Sequence, residues 1–432
     1  MKILLTGAHG FIGGRLVDAL RNDGHHLVCL VRTPRADDLN VPRARYVPAD
    51  FARLTRIEDW LPHLSGVQAV INTVGVFRET RTAHFSDVHG NAAIALFAAA
   101  RQCGAQIVQF SALGADADAR TGFHLSKRVA DDALRAAGSA AYIVQPSLVY
   151  GTGGASAALF NLLAALPVVA LPAGGWQRIQ PVYVDDVVDG VRAMLAQPAR
   201  APTTIAFCGP EPVTVRKYLA LLRQGFGIAG RQWIIAVPTG LAHPIAVAAQ
   251  WLPGSLIHPD SLAMLNRGNT GNPAPFAALL GRSPTAPSAF IKPQEQGPLH
   301  AEASLRLMLP IMRLCIAAVW LWTAAVSMGL YPIADSLALL ARAGIPPALA
   351  PAMLASAAGL DLALGVLTLM NLGGRKRWVW VAQIALILGY SAIISLRLPE
   401  QWLHPFGPLS KNLPMLAVLA LLYLCDSRVG RR

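Results

Sequence analysis

Three glycines near the start of the chain have the spacing of a phosphate cradle: Leu5-Thr6-Gly7-Ala8-His9-Gly10-Phe11-Ile12-Gly13. Gly7 permits a tight turn, Gly10 lets backbone N–H groups approach a pyrophosphate, and Gly13 lets a helix pack closely on a strand. The apolar run Ile3-Leu4-Leu5 before them reads as a strand buried on both faces. Phe11, Ile12, Leu16, Val17 and Leu20 after them recur at helical spacing. The unit is strand, glycine turn, helix. A phosphate would sit at the helix N-terminus, where the dipole and free N–H groups favour anions. His9, Phe11 and Ile12 belong to the same turn and are expected in the nucleotide site. The bland alternative is a glycine-rich turn with no ligand.

The residue after the second strand, His26–Val31, selects the cofactor. An acid there holds the ribose hydroxyls of NAD, whereas an arginine suits the 2′-phosphate of NADP. The chain has Arg32, with Arg35 close by, and Asp37 and Asp38 come later. NADP is the expected cofactor, with NAD second. A solvated charge at a strand end is the other reading of Arg32.

The elements that position these residues alternate. Strands at Tyr46-Val47, at Ala69–Gly75, which ends in a Gly-containing turn, and at Ile107–Ser111 are separated by helical segments, among them an Ala-rich helix opened by Asn91. Such alternation predicts an α/β fold with a doubly wound parallel sheet of the Rossmann type. Over 432 residues, two to three domains are expected. Hydrophobic residues are 54% of the chain and charged residues 14%, which places part of it in lipid. The net charge of +13 is scattered, without the long basic runs or interleaved aromatics of a nucleic-acid platform. The basic residues beside apolar segments point to a membrane surface instead. Cys29, Cys103, Cys208, Cys315 and Cys425 share no metal-ligand spacing, so no metal site is expected and the thiols read as reduced. No signal peptide is seen before the first strand, so the N-terminal domain is expected to stay in the cytosol.

The G-x-x-G-x-x-G spacing resembles the extended and atypical branches of the short-chain dehydrogenase/reductase superfamily. Three further segments narrow the resemblance: Ser111-Ala112-Leu113-Gly114, Phe123-His124-Leu125-Ser126-Lys127, and Gln145-Pro146-Ser147-Leu148-Val149-Tyr150-Gly151. They look like the atypical group that includes the NADPH-binding accessory subunit of respiratory complex I and its bacterial relatives. The resemblance implies that Asp50 contacts the adenine and that Thr73, Val74 and Gly75 pass behind the cofactor. It also implies Asn91, Lys127, Pro146 and Ser147 as cofactor contacts. Catalytic members use Tyr-x-x-x-Lys with a serine upstream, the tyrosine transferring a proton and the lysine lowering its pKa. Here Ser111 and Lys127 are present, but Phe123 stands at the tyrosine position, and a phenyl ring has no exchangeable proton. Lys127 could alternatively be a helix-surface residue paired with Asp131 at i+4. Pro181–Val187 resembles a segment near the substrate side of extended members, where Tyr183 and Asp185 read as packing residues.

Residues 1–282 are expected to form the nucleotide domain, with a small substrate lobe over roughly 210–282. Trp233 to Pro253 is apolar but broken by prolines, and reads as a buried or interface-lying helix. Residues 283–304, rich in Pro, Ser and Gln, read as a linker. Residues 305–432 are expected to be an all-α membrane domain with four spans: Leu309–Leu330, Pro351–Asn371, Arg377–Leu396, and Leu413–Cys425 extended back toward Phe406. Arg313 is expected to snorkel from the start of the first span. Trp320, Trp322, Trp378, Trp380 and Trp402 are expected as interface anchors. Arg306, Arg313, Arg375-Lys376-Arg377, Arg428, Arg431 and Arg432 fall on one side, so both termini are expected in the cytosol and the protein in the inner, cytoplasmic membrane. Trp320-Leu321-Trp322-Thr323, Asp361-Leu362-Ala363-Leu364-Gly365 and His404-Pro405-Phe406-Gly407-Pro408 resemble the DoxX-like membrane family, whose name carries a quinone link. Asp361, inside the second span, is either functional or a hydrogen-bonded packing residue.

Two functions follow as expectations. One is a membrane-anchored NAD(P)H-binding oxidoreductase acting on a lipophilic substrate such as a quinone. The other is a non-catalytic NADPH-binding module that senses redox state or stabilises a membrane complex. The expected partners are the bilayer, a lipophilic small molecule or a membrane complex, and no nucleic acid.

Overall fold

The computed structural model describes residues 1–79, 84–250, 257–371, 376–405 and 407–429, without the side chains of 427–429. The chain forms two units, Met1–Ala303 and Ser304–Arg432.

In the first unit, strands β1 (Lys2–Thr6), β2 (His26–Val31), β3 (Ala44–Pro48), β4 (Ala69–Asn72), β5 (Gln106–Phe110) and β6 (Ala141–Pro146) precede three short strands, β7 (Val149–Tyr150), β8 (Val168–Pro172) and β9 (Arg178–Ile179). Strands β10 (Val182–Tyr183), β11 (Thr203–Phe207), β12 (Val213–Thr214) and β13 (Trp233–Val237) follow. Seven of them make one sheet in the order β11-β6-β5-β4-β1-β2-β3. Every pairing in it is parallel. The winding direction reverses between β1 and β4, and this switch point opens a crevice at the carboxyl ends of the strands.

Alternation along β1 divides the core. Ile3 and Leu5 face a cluster with Leu16, Leu20 and Val187, from helices α1 (Phe11–Asn22) and, later in the chain, Val184–Ala196. Leu4 faces the other side, with Trp60 and Leu64 of α2 (Ile57–Leu64), Leu96 of α3 (Ala92–Gln102) and Leu134 of α4 (Gly122–Ala136). Helices thus cover both faces of the sheet, as a fully parallel sheet requires.

The lobe uses α5 (Ala155–Ala165), α6 (Val184–Ala196), α7 (Val215–Gly225), α8 (Thr239–Ala249), α9 (Pro259–Arg267) and α10 (Ala274–Leu280). The stretch expected as one helix from Trp233 is instead strand β13 paired with β8, followed by α8; Trp251 to Pro253 lie outside the described residues. The segment expected as a linker is largely structured. Phe290 and Ile291 are buried in the lobe core. The Phe290 ring stacks on Tyr150 and Tyr183 at 4.9 and 5.4 Å, and α11 (Pro293–Ala325) begins inside the segment. Its Pro- and Gln-rich composition conceals two large apolar anchors.

The second unit contains the rest of α11, then α12 (Ile333–Arg342), α13 (Ala350–Met370), α14 (Trp378–Arg397) and α15 (Asn412–Val429). Among the described residues, three helices rather than the expected four are long and apolar enough to cross a membrane: Pro293–Leu330, Ala350–Met370 and Trp378–Arg397. α15 is apolar but shorter over Asn412–Asp426. It begins at Asn412 rather than reaching back toward Phe406, which lies outside the described residues. α12 was not foreseen as a separate helix.

Arg313 does not snorkel. It is 7% exposed and forms an ion pair with the buried Asp426 of α15, whose other oxygen accepts from Trp380 Nε1 at 2.6 Å. Trp320 Nε1 donates to Gln383 Oε1 at 2.7 Å, and Gln383 Nε2 donates to Thr368 Oγ1 at 2.9 Å. Trp320 and Trp380 are therefore interior hydrogen-bond donors rather than interface anchors, whereas Trp322, Trp378 and Trp402 are exposed. Polar side chains within an apolar bundle need partners, and these helices supply them to one another. Asp361 is 9% exposed, and its Oδ1 has no hydrogen-bond partner among the described residues. Arg375, Arg431, Arg432 and the Arg428 side chain, used for the expected orientation, lie outside the described residues.

Candidate nucleotide site

The glycine turn lies between β1 and α1 at the switch point. Gly7 has φ +76, a left-handed conformation that favours glycine. A Cβ on Gly13 would lie 2.1 Å from the Gly7 carbonyl oxygen, and one on Gly10 would lie 3.0 Å from it. The Gly10 N–H donates to Gly7 O at 2.8 Å, folding the turn under the helix. Gly10 caps α1 in an extended conformation with no side-chain hydrogen bond. The first-turn N–H groups of α1 are thus left for an anion. Phe11 projects against the Gly151–Gly154 loop, since a Cβ on Gly154 would meet its ring at 3.0 Å.

A polar network pins the next turn. Thr6 Oγ1 donates to Asn72 Oδ1 at 2.6 Å, and Asn72 Nδ2 donates to Gln109 Oε1 at 2.7 Å. Thr73 Oγ1 donates to Thr6 O at 2.7 Å and Val74 N–H to Asn72 Oδ1 at 3.3 Å. Buried polar groups must be paired, and this chain of bonds holds Thr73, Val74 and Gly75 beside the glycine turn. Asn72 and Gln109 were not singled out from sequence. Their signal was two amides at the ends of strands otherwise buried and apolar.

Arg32 is exposed just beyond β2. Asp38, which sequence spacing put too far along, is 8% exposed and reaches the turn itself. Its Oδ2 accepts from His9 Nε2 at 2.9 Å and from the Arg35 N–H at 2.6 Å. The His9 ring stacks on Tyr46 at 5.7 Å. Asp50 lies 3.3 Å from the Arg53 guanidinium after β3. Asn91 is exposed; the buried residue two positions earlier, His89, reaches inward instead. His89 Nε2 accepts from the Val76 N–H at 3.0 Å, and Nδ1 donates to Ser126 Oγ at 2.8 Å. Burial and the nearby Lys127 cation push its pKa down to about 2, so the ring is neutral.

Lys127 is 4% exposed. Its ammonium donates to Val74 O at 3.2 Å and Phe110 O at 3.0 Å, so it faces inward beneath Gly75. Burial pushes its pKa down to about 8, against the pull of Asp131. Asp131 pairs with Ser111 rather than with Lys127. Ser111 Oγ donates to Asp131 Oδ2 at 2.5 Å, and burial pushes that carboxyl up to about 6. One turn before Lys127, the Phe123 ring packs at 4.9 Å from Phe77, 6.3 Å from Phe85 and 5.7 Å from His89. His124 and His258 are also buried, each with Nε2 unpartnered among the described residues. Ser147 Oγ donates to Gln180 O at 2.6 Å, and Pro146 O accepts from Leu113 N–H at 3.1 Å.

The turn with its close glycines and uncapped helix fits a dinucleotide pyrophosphate. Such a cofactor would be held by the turn residues, by Thr73 to Gly75 and by Lys127. No cluster of His, Cys, Asp or Glu suited to a metal occurs among the described residues.

Comparison with known proteins agrees with this geometry. The NAD dependent epimerase/dehydratase family matches residues 3–207, and the DoxX-like family matches residues 317–420. A ceramide reductase of Caulobacter vibrioides is 32% identical over 201 residues, 45% of this chain and 61% of that protein. The mitochondrial NADH dehydrogenase [ubiquinone] 1 alpha subcomplex subunit 9 of Mus musculus is 29% identical over 242 residues, 53% of this chain and 61% of that protein. The chain thus spans about three fifths of the length of these relatives. Among solved structures, UDP-glucuronic acid 4-epimerase from Bacillus cereus, crystallised with UDP-glucuronic acid and NAD, superposes with a TM-score of 0.51 at 17% identity. It covers 70% of this chain and 99% of its own. A nucleoside-diphosphate-sugar epimerase from Staphylococcus aureus gives 0.53 at 19%, covering 67% and 99%. At these identities the structures establish the fold. The chain therefore carries an epimerase/dehydratase-like, Rossmann-type NAD-binding domain over residues 3–207 and a DoxX-like domain over residues 317–420.

Proposed function

We propose that the chain is a membrane-anchored NAD(P)H-binding oxidoreductase, preferring NADPH, that acts on a lipophilic substrate such as a quinone. The observation that carries this reading is the pairing of a buried Lys127 beneath Gly75 with an aromatic wall of Phe77, Phe85 and Phe123. An apolar wall beside the cofactor turn suits an apolar substrate. The name of the Caulobacter relative, a ceramide reductase, supports reduction of a lipid-like molecule.

Bound NADPH would supply a hydride. Lys127, fixed by two backbone carbonyls, would hold the nicotinamide ribose. Ser111 would hold a substrate oxygen by turning its hydroxyl from Asp131 to that oxygen. Phe123, at the position of the superfamily's tyrosine, adds an apolar ring to the site but donates no proton. A quinone, which takes its proton from water, suits such a site better than a secondary alcohol or simple ketone. Arg32 favours NADPH by supplying a cation where the 2′-phosphate would lie. The basic residues between spans favour an inner-membrane location with the nucleotide domain in the cytosol. A reporter fused after Ala343 should then read exterior; a cytosolic reading there would reverse the orientation.

The test is NADPH oxidation by the purified protein in detergent when a short-chain quinone is added. Turnover lost in Lys127→Ala supports the oxidoreductase. Tight NADPH binding with no turnover on any quinone supports the second reading, a non-catalytic NADPH-binding module of a membrane complex. Phe123 and the complex I subunits among the relatives favour that reading.

A further inference from the structure

Beyond the cofactor site, the substrate lobe carries an apolar surface with no partner among the described residues. Strands β8 and β13 pair in parallel, with Trp233 opposite Val168 and Ile235 opposite Ala170. Side chains alternate across this two-stranded sheet. Val169, Leu171 and Ile234 face the lobe core. The other face turns outward: Trp233 is 75% exposed, Ile235 57% and Val168 46%. α8 follows directly. It buries Ala242 and Ala246 but exposes Leu241 and Ile245, at 59% and 54%. A largely apolar helix with most of its residues exposed needs a cover.

The charge around this surface identifies the cover. From Pro212 to Pro259 the chain has four basic residues, Arg216, Lys217, Arg223 and Arg231, and no acidic residue. Arg216, Arg223 and Arg231 line a depression of about 490 Å³ that also takes in Ile234 of β13, and its lining contains no acid. Arg223 is committed to the carbonyls of Ala164, Leu166 and Gly230. Arg216 instead lies 4.4 Å over the ring of Trp176, itself 64% exposed. Exposed tryptophans among aliphatic residues, with arginines near them and acids only at the flanking Glu211 and Asp260, suit an anionic lipid surface. The same chain carries helices long and apolar enough to cross a bilayer.

We propose that the β8–β13 face and α8 form a bilayer-docking surface, with α8 lying in the interface and Arg216 and Arg231 holding the phosphodiesters of anionic lipids. The lobe is then a second membrane contact besides the apolar helices. A protein partner on this face would be expected to bring acids opposite the arginines.

The test uses the full chain in nanodiscs of phosphatidylcholine with phosphatidylglycerol. The photo-reactive residue p-benzoylphenylalanine is placed at Ile245, at Trp233 or, as a control, at Leu39, which is 81% exposed beyond β2. Lipid adducts are expected at Ile245 and Trp233 and not at Leu39. Arg216→Glu with Arg231→Glu should reduce them, by about five-fold for each arginine. Lipid yields at Ile245 no greater than at Leu39, or adducts there to a second copy or another polypeptide, would overturn the proposal.

Discussion

Gly13 and Gly14 are adjacent in α1, and replacing each by alanine should have opposite effects. At Gly13 the new methyl would lie 2.1 Å from Gly7 O, 2.8 Å from Gly7 C and 2.9 Å from Thr73 Oγ1. Ordinary contact begins at 3.4 Å, so the turn and the helix must separate by about 1.3 Å, the difference between 3.4 and 2.1. The two nearest obstructing atoms are backbone, so no rotamer relieves them. Overpacking of this kind costs roughly 1–3 kcal/mol. The displaced turn also loses charge-assisted bonds to phosphate, each worth about 1.5–3 kcal/mol. At Gly14 the methyl would meet only Ala8 O, at 3.4 Å. There alanine should stabilise the helix by up to about 1 kcal/mol. Thermal unfolding in detergent and an NADPH titration read both effects. Gly13→Ala should unfold several degrees lower and bind NADPH at least ten-fold more weakly, whereas Gly14→Ala should unfold no lower and bind normally. Equal behaviour of the two variants would refute the reasoning.

Arg32→Ala should weaken NADPH about ten-fold or more and leave NADH nearly unchanged, because one charge-assisted phosphate contact is lost; equal losses in a binding titration would mean that Arg32 does not read the 2′-phosphate. Lys127 has a native pKa near 8, below its usual 10.5, so it is cationic below pH 8 and neutral above. NADPH affinity should therefore fall as pH rises through about 8, and a Lys127→Met variant should lack that step. By the same sign, the unfolded chain binds the extra proton between about pH 8 and 10.5, so this group adds stability as pH rises across that window. Phe123→Tyr should keep NADPH binding and gain weak ketone reduction, measured as NADPH loss; strong ketone reduction by the unmodified protein would show that another residue supplies the proton. Asp361→Asn keeps shape and removes the charge; lost function at unchanged thermal stability would mark a proton or ligand role, whereas normal function would mark a packing role.

Much of the fold was legible because its signals are local. Ile3-Leu4-Leu5 followed by glycines at intervals of three, then helical apolar spacing, needs no distant partner to be read. Long apolar runs announce membrane helices for the same reason, since hydrocarbon thickness sets their length. The doubly wound parallel sheet follows from strand–helix alternation, whereas its order of seven strands comes from the structure.

What only the tertiary structure decided involves residues far apart in the chain. Asp38 was passed over because its distance along the chain was wrong, yet the loop after β2 folds back and sets its carboxylate on His9. Lys127 had a ready partner one turn away in Asp131, but α4 packs so that Ser111 takes the carboxylate and the ammonium turns to the carbonyls of Val74, just after β4, and of Phe110 in β5. Arg313 read as a snorkelling charge because Asp426, 113 positions later, is invisible to any local window. Burial makes the difference in each case. In a low-dielectric interior a charged or polar group must find a partner wherever the packing supplies one. Periodicity and composition tell which segments are buried, but which groups meet there is fixed only when the segments pack.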